Sequence, residues 1–121
     1  MRNWLGQEVV PGTVVYRGAR DGNSSTFKVG VVESVKDRTA RVHWKYEPSY
    51  AWRKVNGEAQ RVNNVVGELD SKGSPSIDSL VVLPADALAY LDQAAYLVLQ
   101  WKNEGMPTET LRTMLDNLES F

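Results

Sequence analysis

The chain has 121 residues, with 14 Lys and Arg against 15 Asp and Glu, one His, no Cys, and 42% apolar and 24% charged residues, the balance of one globular domain. The absence of Cys removes disulfides, thiolate zinc sites and cysteine nucleophiles together, and the lone His43 excludes the usual His-rich metal centres, so neither cofactor nor metal is expected. No apolar run approaches the roughly 18 residues of a membrane span, and no export signal is visible, which points to a cytoplasmic protein without a membrane contact.

Short strands come first. Val9 and Val10 lead through Pro11-Gly12 into Thr13-Val14-Val15-Tyr16, a β-branched and aromatic run suited to a pleated sheet. Gly18 and the stretch Asp21-Gly22-Asn23-Ser24-Ser25 break it. Asn23-Ser24-Ser25 matches a glycosylation acceptor but, lacking an export signal, reads as a turn. A second strand spans Thr26 to Val35, where Gly30 and the adjacent Val31 and Val32 predict a bulge or sharp bend. After a turn at Lys36-Asp37-Arg38, the residues from Thr39 to Tyr46 alternate. Ala40, Val42, Trp44 and Tyr46 fall on the core parity, and His43 lies outside between Arg41 and Lys45.

Glu47-Pro48-Ser49 reads as a break, and Asn56-Gly57 as the two-residue tip of a type I′ hairpin. That turn sets Val55 opposite Glu58 and Trp52 opposite Arg61. One face then carries Ala51, Val55 and Val62 with Arg53, Glu58 and Gln60; the other carries Trp52, Lys54 and Arg61 around Ala59. The polar run Asp70 to Ser76 predicts a loop, and Leu80 to Leu83 a closing strand ended by Pro84. From Ala85 to about Asn103 a helix is expected, with Leu88, Leu91, Ala95 and Val98 as its stripe and Gly105 as its stop. Thr108 reads as the N-cap of a second helix with a stripe of Leu111, Met114, Leu115 and Leu118.

The spacing of Pro11-Gly12-Thr13-Val14-Val15-Tyr16, Phe27-Lys28-Val29-Gly30-Val31-Val32-Glu33 and Ala40-Arg41-Val42-His43-Trp44 resembles SH3-like small barrels of the KOW and Tudor kind. The resemblance covers Val9 to Leu83. As a whole the chain is also similar to small proteins of actinobacterial phages, which implies an accessory or virion role in the host cytoplasm. The expected fold class is α+β: an N-terminal SH3-like antiparallel β-barrel over residues 1–83, followed by a C-terminal helical hairpin over residues 84–121 packed on it as one compact unit. The barrel resemblance implies a binding module that meets its ligand through aromatic residues and loops.

No phosphate-binding loop, dinucleotide fingerprint, zinc-protease helix or nucleophile elbow is present, and the carboxylates are scattered, which argues against an enzyme. The segment Arg41 to Arg61 interleaves aromatics with cations, the combination that neutralises phosphates while stacking on bases. The expected nucleic-acid site is Arg41, Lys45, Lys54 and Arg61 for phosphates, with Tyr50 and Trp52 for stacking. A cage of Tyr16, Tyr46, Tyr50 and Trp52 around a methylated cation is another reading. The alternative function is protein interaction or assembly, with a partner or a second copy docking on the helices through Leu97 and Trp101. Charge is split: residues 1–62 hold 11 cations and 6 carboxylates, residues 63–121 hold 3 and 9. The acidic half would repel a phosphate backbone, and this is the strongest sequence argument against the first reading.

Overall fold

A computed structural model describes the backbone of residues 1–21 and 24–121 and the side chains of residues 1–18 and 26–121. Gly22 and Asn23 of the expected turn lie outside the described residues, while the backbone of Ser24 and Ser25, read from sequence as part of the break, pairs with β1 as the start of β2. The layout is α+β, as the sequence predicts. Strands β1 (Val14–Asp21), β2 (Ser24–Lys36), β3 (Thr39–Val55), β4 (Glu58–Gly73) and β5 (Val81–Val82) are followed by helices α1 (Asp86–Glu104) and α2 (Thr108–Asp116). The strands form a single sheet in the order β4-β3-β2-β1-β5, and β1 pairs antiparallel with both β2 and β5. Neither helix is long and apolar enough to cross a membrane.

Two turns have the chemistry that tight hairpins demand. Lys36 pairs with Thr39, leaving Asp37 (φ 51°) and Arg38 (φ 64°) as the loop, and Asn56 (φ 52°) with Gly57 (φ 84°) joins β3 to β4. Two consecutive positive φ values are the type I′ signature, whose twist matches that of the flanking strands. Between them the β2/β3 ladder shifts register at Val29/Gly30 and again at Val32/Ser34, the irregularity anticipated around Gly30. Gly30 has a steric reason to be glycine: a Cβ there would run into the carbonyl of His43 and the side chain of Val42.

The strands are longer than the sequence suggests. Glu47-Pro48-Ser49 does not end β3, because Pro48 forfeits only one donor to the ladder. The polar run from Asp70 does not end β4 before Gly73, because its polar side chains find partners on other strands: Asp70 with His43, and Lys72 with Glu33. Thr108 is not the N-cap of α2. Pro107 holds that position, its carbonyl accepting from Leu111 N–H, while the Thr108 hydroxyl accepts from the Trp101 indole at 3.0 Å. Gly105 stops α1 in the left-handed region, as expected.

The chain divides into two compact units, and β3 and β4 contribute residues to both. The first comprises Met1–Glu47 and Glu68–Ala85. Its core is Val9, Val15, Val32, Ala40, Val42, Trp44, Ile77 and Leu80, so the parity assigned to Ala40, Val42 and Trp44 holds. Here β5, at one edge of the sheet, is covered by side-chain amides. Gln7 Oε1 accepts from Val82 N–H and Gln7 Nε2 donates to the Val82 carbonyl, while buried Asn3 donates to the Leu80 carbonyl. An edge occupied in this way is closed to a further strand.

The second unit comprises Pro48–Gly67 and Asp86–Phe121, the β3/β4 hairpin together with both helices. Its core is Val62, Val65, Leu97, Val98, Trp101 and Leu111, flanked by Ala51, Met106, Leu115 and Leu118. Val62 and Val65 are three apart yet both buried, which a regular strand forbids. Asn64, at φ 58°, inserts the extra residue that restores the parity.

Candidate nucleic-acid interface

The Asn56-Gly57 turn decides which side chains of the hairpin reach water. With two loop residues, Arg53 lies opposite Gln60, and their side chains bond at 3.1 Å. Tyr50, Trp52 and Lys54 then share the other face with Ala59, Arg61 and Asn63. Contacts agree: the Arg61 guanidinium lies 4.0 Å from the centre of the Tyr50 ring, and its Nε donates to Asn63 Oδ1 at 2.8 Å. Trp52 is 50% exposed and Tyr50 54%. Glu58, the sole carboxylate between residues 48 and 67, falls on the opposite face with Val55. The charged groups on the exposed face are therefore Lys54 and Arg61.

Arg53 is on the inner face, with a task that no local pattern signals. Its Nη1 donates to the carbonyls of Trp101 at 2.6 Å and Met106 at 2.7 Å, and its guanidinium lies 4.3 Å from the centre of the Trp101 ring. A cation here satisfies carbonyls at the negative end of α1. The face patterning pointed to its inward parity; the carbonyls that it meets lie 48 and 53 residues along the chain, beyond the reach of any local signal. Val55, assigned to the core, is 36% exposed, because it stands at the turn where the inner face runs out of cover.

Arg41 and Lys45 belong to the first unit and stand among acids. Lys45 lines a cleft of about 520 Å³ with His43, Tyr46, Glu68, Leu69 and Asp70. His43 Nε2 is 2.6 Å from Asp70 Oδ1, so this residue, read from sequence as a bare surface histidine, is partnered and half-buried. Lys72 Nζ lies 3.0 Å from Glu33 Oε1 and, with smaller help from His43 and Arg41, holds the Glu33 carboxyl below the ordinary carboxylate value. Arg41 donates to Ser74 Oγ at 3.4 Å. Among the described residues none of Arg41, Lys45, Lys54 and Arg61 forms an ion pair. The first two nevertheless share their surroundings with carboxylates.

The four rings read as a cage fall in different units and have other neighbours. Tyr16 stacks on Phe27 with centroids 5.9 Å apart, Tyr46 is buried, and Tyr50 has one ring face taken by Arg61. Of Leu97 and Trp101, expected to offer a docking surface, Trp101 is instead core at 0% exposed, and Leu97, also buried, keeps only an edge on a hollow beside Tyr96 and Met114. The sequence showed a helix apolar on more than one side, and the hairpin and α2 cover the side that carries these two. The exposed apolar residues of the helices are Tyr96, Leu99 and Met114.

No family model, curated protein or solved structure matches the chain significantly.

Proposed function

We propose that this protein is a non-catalytic module that binds nucleic acid through the exposed face of the β3/β4 hairpin. Trp52 serves as the stacking platform, Lys54 and Arg61 contact phosphates, and Tyr50 is preorganised beneath Arg61. The observation that carries the reading is a half-exposed indole on a strand face whose charged groups are two cations that form no ion pair among the described residues. Exposed aromatic rings bordered by positive charge suit an unpaired strand, because every base has a face to stack. Arg41 and Lys45 belong to the first unit and are left out of this site, since the carboxylates beside them oppose a phosphate.

We read the sheet of the first unit as a small SH3-like barrel. The register shifts that bend β2 against β3 support this, as does the return of β5 to the free side of β1. The test is fluorescence anisotropy with labelled 12-nucleotide single-stranded and duplex DNA at two salt concentrations. The single strand should bind more tightly and weaken as salt rises, and Lys54→Ala and Arg61→Ala should each reduce the salt slope by about 0.7. Binding that ignores salt, or that survives both substitutions unchanged, contradicts the proposal.

A further inference from the structure

The second unit carries an apolar groove that the hairpin face does not use. Two adjoining hollows of about 450 Å³ each run along α1 and share Gln93, Asn117 and Leu118. One is floored by Tyr96, Leu97 and Met114, the other by Ala89, Tyr90 and Phe121, with the Tyr90 and Phe121 rings edge to face at 5.7 Å. Tyr96 is 60% exposed and Met114 42%. A surface of this make-up, apolar at its floor and polar at its rim, has the anatomy of a site for a helix or extended peptide.

Charge selects the occupant. The groove is lined by the carboxylates Asp86 and Glu119 and by no Lys or Arg. Residues 86–121 hold six carboxylates against two cations. Of those cations, Arg112 is turned onto the carbonyl of Asn63 at 2.8 Å, and Lys102 lies in the last turn of α1. A second copy seated through a two-fold axis would set this acidic border against itself. We propose that the α1/α2 groove is a docking site for a basic amphipathic segment of a protein partner, its apolar side on Tyr96 and Met114 and its Lys or Arg side facing the carboxylate border. The site is separate from the hairpin face and stands whether or not that face binds nucleic acid.

The test uses the full chain and a fluorescein-labelled 18-residue Leu/Lys peptide of amphipathic helical pattern, with a Leu/Glu peptide of the same pattern as control. The Leu/Lys peptide should bind and the Leu/Glu peptide should not. Tyr96→Asp and Met114→Asp, both at exposed positions and each checked for an unchanged urea midpoint, should weaken binding about tenfold, and Trp52→Ala should leave it unchanged. Four results would each overturn the proposal: no binding, equal binding of both peptides, indifference to the two groove variants, or displacement of the peptide by single-stranded oligonucleotide. Concentration-dependent dimerisation that Met114→Asp abolishes would assign the groove to a second copy and overturn it as well.

Discussion

Trp52 and Trp101 are both indoles of the second unit, and their surroundings give them opposite roles. Trp52 is half in water on a strand face, and replacing it removes a ring with no core neighbours to collapse. Trp52→Ala should therefore change stability by no more than about 0.5 kcal/mol while removing about 1–3 kcal/mol of binding to a single strand; urea denaturation and anisotropy read the two quantities separately. Trp101 fills the core and donates to Thr108. Its replacement by Ala should cost about 3–5 kcal/mol of stability, visible as a fall in the urea midpoint. Glu33 is a third case: Lys72 lowers its pKa in the folded protein, so the pair stabilises above about pH 4.5, and that contribution is lost as pH falls through the lowered value. Lys72→Met should flatten the pH dependence of the denaturation midpoint in that acid range, as should high salt.

The elements depend on a few positions where local geometry admits one kind of residue. Gly30→Ala would force a Cβ against the His43 carbonyl, and the β2/β3 ladder should lose about 2 kcal/mol or more. Arg53 joins the hairpin to the end of α1 by two carbonyl bonds and a ring contact; Arg53→Met keeps the stem but strands those acceptors, and should cost about 2 kcal/mol by denaturation. These two show where the sequence was legible. Gly30 announced itself beside paired valines, and Asn56-Gly57 fixed the hairpin parity that exposes Trp52, because both signals are local. Arg53 did not, since its partners lie about fifty residues away and no spacing encodes them. The twin Asn63-Asn64 was a faint mark of the bulge, readable only once Val62 and Val65 are known to face the same way. Glu47-Pro48-Ser49 misled for the opposite reason: a proline is a strong local signal that the rest of β3 overrides.

At the scale of the whole molecule, a net charge of −1 conceals a hairpin of three cations and one carboxylate over residues 48–67 beside a helical region of two and six. The sequence could count this imbalance but could not place it, since which carboxylates border which cations is a property of the fold. The hairpin's exposed face has none of its own, and Asp86 and Glu119 line the apolar groove of the helical region. Amide chemical shifts of the labelled protein, titrated with a 12-nucleotide oligothymidine at low salt, test the central claim most directly. Shifts confined to residues 50–54 and 59–63, including the Trp52 indole N–H, and reversed by salt are expected. Shifts centred on the helices or on the cleft around His43, or none at all, would contradict it.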